Sequence, residues 1–433
     1  MSNRATPRFE MDIDGDFRLS LSAIHTAGTT ATAPVLEDLL TVAAAVARAD
    51  RVSRRGFNWC REFDLRIALQ QPARWTPESL HRLTSALQWL TGDSWSISIT
   101  QSTMPRRAAQ IDWLCEPLSP VVTFSGGVDS FAAAATTLVQ GTCILSCTET
   151  SSRTTTVASA CLAHLRGAKL VSVPLQLAIG DHAEPSYRTR TFVFFVAAAV
   201  TAAVNGSGRV VIGENGQGCL GPSVVRRYNE HPHRGAHPHL GCYVEDLFRI
   251  VSGSTIKFEF PFLWRTKSDV VAELERAGHA LGLAATNSCS RPPSRQGRPG
   301  APPHCGICAG CLLRRVAFED RVPEAEDAYT WRLLDASTIE DAAPDFPTHR
   351  SDVELAREAV ALLEQLATTR QLPSFSSVER IVLREVSDAL GIANEVAQQH
   401  LMALLDRHSA EWNSFLERRA PSSWIRVAAG RSQ

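Results

Sequence analysis

"VVTFSGGVDSFAAAATTL", residues 121–138, is an apolar run, a turn holding two glycines and two serines, and a second apolar run. Val121, Val122 and Phe124 read as the end of a buried strand, and Phe131 to Leu138 as an alanine-rich helix. Ser125, Gly126, Gly127, Val128, Asp129 and Ser130 form the turn between them. Glycine admits positive φ and close backbone approach. The N–H groups of such a turn, with the start of the next helix, make a cradle for anionic oxygens, and Ser125 and Ser130 add hydroxyl donors. Asp129 is misplaced as a direct phosphate ligand; it makes sense if it orients a donor or holds Mg2+. The absence of a following Gly-Lys-Ser/Thr excludes a Walker A loop, and the spacing is not GxGxxG.

Downstream, the short apolar runs "TCILSC" (142–147), "AKLVSVPL" (168–175) and "RVVIG" (209–213) alternate with stretches that suit helices. That alternation predicts an α/β fold, a doubly wound parallel sheet with ligands at the carboxyl ends of its strands. Upstream, residues 1–117 are expected to form an α+β domain. "VLEDLLTVAAAVARA" (35–49) has helical spacing; "FDLRIAL" (63–69) and "SWSISI" (94–99) alternate like half-buried strands. Thr76 and Pro77 suit an N-cap and first turn before a helix faced by Leu80, Leu83, Leu87 and Leu90. Residues 101–119 read as a linker. Residues 118–325 form the expected central domain. Residues 326–433 are predicted to be a helical domain, with amphipathic spacing at 353–367 and 396–419.

The formal net charge of -1 argues against a broad nucleic-acid surface, although a local basic groove stays open. Only Lys169, Lys257 and Lys267 are lysines among 44 basic residues, so each draws notice. The first residues carry no apolar signal core, and "TFVFFVAAAVTAAV" (191–204) is too short to span a bilayer. Eleven cysteines then suggest thiols and metal in a cytoplasmic protein, not disulfides. Cys289, Cys305, Cys308 and Cys311 cluster within "NSCSRPPSRQGRPGAPPHCGICAGCLLRRVAF" (287–318). Four thiolates with no open position suit structural Zn2+; CxxCxxC also occurs in iron–sulfur proteins.

SGGxDS at a strand-to-helix turn resembles the PP-loop of the N-type ATP pyrophosphatases, with their HUP-like α/β fold. That superfamily attacks the α-phosphate of ATP, releasing pyrophosphate and leaving an adenylated substrate. SGGxDS followed by CGxCxxCxLRxxAF resembles the 7-cyano-7-deazaguanine synthase family over about residues 120–320. The additions at both ends look like the synthase-like component of Qat-type antiphage defence systems.

The resemblance implies ATP, Mg2+ and Zn2+ as cofactors. It also implies activation of 7-carboxy-7-deazaguanine as an acyl-adenylate and transfer to an amine. Asp129, Ser130, Arg190 and Lys267 would serve catalysis. Ser125, Gly126, Gly127, Val128, Arg188, Glu149, Gly213, Glu214 and Asn215 would join Asp129 and Ser130 in binding the nucleotide. After Gly213 the chain departs from the synthases, which place an aspartate and then Tyr-Pro-Asp-Cys-Arg where this chain has Gly218 and "GPSVVRRYNEHPHRGAHPH". A rebuilt acceptor end suggests a partner protein's amine in a defence complex in place of ammonia. Free 7-cyano-7-deazaguanine synthesis, a tRNA-modifying PP-loop enzyme and a non-catalytic scaffold are the other readings. His231, His233, His237 and His239 suit a loop better than one metal ion, and Arg291, Arg295 and Arg298 suit a solvated insert.

Overall fold

A computed structural model describes residues 6–13, 17–19, 33–103, 118–149, 152–177, 183–225, 230–291, 304–319, 321–369 and 377–431. Most of the expected linker, and Arg295 and Arg298, lie outside these.

The large sheet has the order β2-β7-β6-β5-β8-β9. It comprises β2 (Phe17–Leu19), β5 (Val121–Thr123), β6 (Cys143–Glu149), β7 (Ala168–Leu177), β8 (Arg209–Val211) and β9 (Lys257–Glu259). All neighbours are parallel except β2, which runs antiparallel along β7. Central β5 pairs Val121 with Ile144 on one side and with Val210 on the other. The chain therefore winds outward from β5 in both directions, and the crevice at the carboxyl ends of β5 and β8 is the topological switch point.

A second sheet holds β1 (Arg8–Ile13), β3 (Glu62–Leu69) and β4 (Ser94–Gln101), all parallel. The expected alternation is present, with Phe63, Leu65, Ile67 and Leu69 buried along β3. The segment combines strands and helices as expected, and its neighbouring strands are all parallel. Parallel neighbours need crossovers, and the helices α1 (Ala33–Val52) and α2 (Pro77–Thr91) supply them. Thr76 caps α2, accepting from Ser79 N.

One apolar core joins α1, α2, β3 and β4 to one face of the large sheet and to the buried helix Arg190–Val204. The opposite face is covered by the helices Val128–Leu138, Lys267–Arg276 and Ala309–Phe318. After residue 349 the chain is helical, in Arg350–Thr369, Ser377–Leu390, Asn394–Glu417 and Trp424–Ala428. These pack on the cysteine segment and on residues 219–225. Among the described residues, no helix is long and apolar enough to cross a membrane.

Candidate active site

The turn after β5 is glycine-dependent, with Ser125 exposed and Gly127 partly so. Gly126 has φ +75, and a Cβ there would meet Val157 Cγ1 at 2.6 Å. Gly127 is the N-cap of helix Val128–Leu138 and its side-chain-free position leaves the first turn uncapped. The local bonds are long: Gly127 N donates to Ser125 Oγ at 3.3 Å, and Val128 N to Ser288 Oγ at 3.4 Å. Ser130 Oγ donates to Gly127 O at 3.0 Å. N–H groups held this weakly at a helix start are available to a stronger anionic acceptor.

Asp129 is buried at the centre of the site. Its Oδ1 accepts from Asn215 Nδ2 at 3.0 Å, and the Lys267 ammonium lies against its Oδ2. Asn215 is itself oriented, because its oxygen caps the next turn by accepting from Gln217 N (2.9 Å) and Gly218 N (3.2 Å). Lys267 opens its helix after a capping box made by Thr266 and Asp269. The ends of β5, β8 and β9 thus deliver one carboxylate, one amide and one ammonium to a single point. Gly213 permits this convergence: a Cβ there would stand 2.5 Å from Asp129 O and 2.7 Å from Ala133 Cβ.

Glu214 faces the same point. Burial, and then the Asp129 charge, push its carboxyl up to about 7, against the pull of Lys267 and Arg190. A Cβ at Gly218 would fall 1.9 Å from Glu214 Oε1, so its absence makes room for Glu214. Arg190 is exposed at the start of its helix, and partial desolvation by the surrounding protein lowers its pKa. Its guanidinium lies 5.1 Å from the Phe194 ring centroid, and among the described residues it forms no ion pair. Its neighbour Thr189 is held from the N-terminal segment: Asp50 Oδ2 accepts from Thr189 N (2.9 Å) and Oγ1 (3.0 Å). Asp50 is fixed in turn by the buried Arg61, whose Nη2 donates to Asp50 Oδ1 at 2.6 Å and to Asp93 Oδ2 at 2.7 Å. Tyr187, at φ +35, lies under the Arg51 guanidinium at 4.7 Å. Backbone strain of this kind gathers at functional sites.

The Sγ atoms of Cys289, Cys305, Cys308 and Cys311 all lie within 4.8 Å of one another. Cys305 and Cys311 are 3.8 Å apart. A tetrahedron with Zn–S near 2.3 Å has edges of roughly 3.8 Å, so the four thiols fit one such ion. Bonds from the other three thiols lower the Cys308 pKa well below its usual value. An iron–sulfur cube would hold its thiolates farther apart, since a cluster edge intervenes. The cysteine segment also reaches the phosphate turn: Asn287 N donates to Gly126 O at 2.8 Å, one residue before Ser288 meets Val128.

Other singled-out residues go elsewhere. Arg188 pairs with Glu230 at 3.3 Å and lies over Trp59. The backbone of Glu149 ends β6 opposite Pro174; its side chain lies outside the description. The histidine run is structural. His231 donates to Trp89 O at 2.7 Å, and His237 caps its helix by accepting from His239 N. Among the described residues only the four cysteines form a possible metal group. Arg291 pairs with the buried Asp352. Sequence reasoning missed Gln217, Ser288, Asp50 and Arg51, which carry no motif of their own.

Residues 172–322 match the family described as "Queuosine biosynthesis protein QueC". The middle of the chain is QueC-like. The chain is also 29% identical over 228 residues to a 7-cyano-7-deazaguanine synthase of Novosphingobium aromaticivorans, covering 46% of this chain and 89% of that protein. No solved structure matches significantly. The likeness supports an ATP-using, deazaguanine-related enzyme with C–N bond-forming chemistry.

Proposed function

We propose that the protein adenylates a deazaguanine carboxylate, 7-carboxy-7-deazaguanine, with ATP and passes the acyl group to an amine in the cytoplasm. The observation that carries this reading is the meeting of Asp129, Asn215 and Lys267 beside an uncapped helix start in a QueC-like chain. A carboxylate reacts poorly with amines because its leaving group would be oxide; adenylation replaces that group with AMP.

In this reading the turn from Ser125 to Ser130 cradles the phosphates. Lys267 is placed to meet the charge of the departing pyrophosphate, and the Asp129 carboxylate would hold Mg2+ accompanying ATP, which would offset the phosphates' negative charge. Donors aimed at developing charge in an enclosed site act strongly. Arg190 binds the substrate carboxylate, since a guanidinium fork matches its two oxygens. The amine then attacks the acyl carbon, the C–O bond to AMP breaks, and the nitrogen's proton passes to Glu214. A carboxylate with a pKa near 7 suits such a base. The four cysteines would hold Zn2+ as a brace for residues 287–289, with no part in the reaction.

The segment remodelled around Gly218 favours a protein amine as acceptor, in a defence complex. The likeness across most of a 7-cyano-7-deazaguanine synthase favours the second reading, ammonia as acceptor and a free nitrile as product. Incubation with ATP, 7-carboxy-7-deazaguanine and ammonium tests both. Pyrophosphate and AMP with little nitrile support a protein acceptor, and abundant nitrile overturns it. No pyrophosphate release, or release that survives in folded Asp129→Ala, overturns the adenylating enzyme itself.

A further inference from the structure

The helix Asn394–Glu417 lies outside the QueC-like residues, yet one face of it grips the segment that carries Lys267. Arg407 Nε donates to Asp269 Oδ2 at 3.0 Å. Glu411 Oε1 accepts from Thr266 Oγ1, the cap of the Lys267 helix, at 2.6 Å. Leu404 fills the space beside Gly216, where a Cβ would stand 2.5 Å from Leu404 Cδ2. Residues three and four apart share a helix face, so these contacts come from one stripe.

Between Arg407 and Glu411, His408 makes a directional chain. A carbonyl only accepts, so His408 Nε2 donates to Leu363 O at 2.9 Å. Nδ1 of the neutral ring is then an acceptor, filled by Gln217 Nε2 at 2.8 Å. That fixes the Gln217 amide with Oε1 toward Lys267 N, which donates to it at 2.7 Å. Burial lowers the His408 pKa and favours the neutral ring that the chain requires. The N–H of Lys267 sits in the first helical turn and has no partner within its own helix.

We infer that His408 is a positioning residue: through Gln217 it anchors the start of the Lys267 helix, so that the Lys267 ammonium meets Asp129. The C-terminal helices are on this account a working wall of the site. Without the Nδ1 acceptor the Gln217 amide is free to turn, and the Lys267 N–H loses the partner that Gln217 Oε1 provides.

The structural arm of the test stands alone, whereas its kinetic arm rests on the adenylating reading. Nitrogen NMR of the full-length protein should show His408 as the neutral Nε2–H tautomer at pH 7. His408→Phe keeps the ring volume and deletes both nitrogens; it should speed amide exchange at Lys267 by roughly tenfold. It should lower kcat for pyrophosphate release by a similar factor, with KM for ATP changed less than about twofold. His408→Asn, which returns an oxygen near the Nδ1 position, should restore most of both. An Nδ1–H or doubly protonated His408 overturns the inference, as does unchanged Lys267 exchange in a folded Phe variant, or equal loss in the Phe and Asn variants. If His408→Phe does not fold, Gln217→Met breaks the chain from the other side and is read by the same exchange measurement. Absence of pyrophosphate release in the unmodified protein would sink the adenylating reading alone, and tautomer and exchange would still decide the positioning role.

Discussion

Asn215 donates its side-chain amide to Asp129 Oδ1 at 3.0 Å, while Lys267 occupies the other oxygen of the same carboxylate. A buried anion is thereby shared between the ends of two neighbouring strands. Removing the cation exposes its cost. Lys267→Met should destabilise the fold by about 3–5 kcal/mol, the usual penalty for breaking a buried pair. It should also cut pyrophosphate release by at least ~100-fold, as loss of one preorganised donor does. Denaturant unfolding and a pyrophosphate assay read the two effects separately.

Glu214 predicts a pH dependence. As the base it is active above its pKa of about 7, so the acyl-transfer rate should rise through that value and flatten beyond it. Glu214→Gln should lose this limb. Stability should move in the opposite sense. A carboxyl raised above its ordinary value of 4.5 favours the folded state below that value and loses the contribution as pH climbs through about 7. The Gln variant should therefore melt higher than the parent at pH 8. Rate profiles and melting curves from pH 6 to 8 check both.

The buried histidines set the acid limit. Burial depresses His237 to about 3 and His231 to about 4, from 6.5. Both rings are neutral in the fold, so their contribution is complete above pH 6.5 and is lost as pH falls toward those values. The melting temperature should drop between pH 7 and 5. His237→Asn, which still caps the helix but does not titrate, should make that drop shallower.

Metal removal should be felt at the phosphate turn. Purified protein should carry one zinc per chain by elemental analysis. A strong chelator should lower the melting temperature and speed amide exchange across residues 124–128, because Asn287 and Ser288 lean on Gly126 and Val128. Iron accompanied by acid-labile sulfide, the mark of a cluster, would contradict the single-ion geometry.

Asp50 should link the N-terminal segment to the substrate recess. Asp50→Ala strips a partner from the fully buried Arg61 and both acceptor contacts from Thr189. A loss of about 3 kcal/mol is expected. In the protein that remains folded, KM for the carboxylate substrate should rise more than KM for ATP, because the Arg190 helix has lost its anchor.

The legible parts of this chain were the local ones. The Ser125–Ser130 turn, the four cysteines, the β3 alternation and the Thr76 cap are each written in a few consecutive or closely spaced residues, where backbone geometry and burial period leave a pattern. Three-residue strands such as β9 leave none, and neither did the parallel arrangement of β1, β3 and β4, since strand direction is not encoded in alternation.

From its sequence alone the protein is a parallel α/β chain with a phosphate-type turn and a four-thiol cluster, because those features depend on neighbours along the chain. Only the tertiary structure decided which side chains meet there. Asn215 and Lys267 reach Asp129 across 86 and 138 residues, and His408 reaches Gln217 across 191. No local pattern specifies such pairs; the winding of strands outward from β5 brings their carboxyl ends to one crevice, and helix packing closes it from behind.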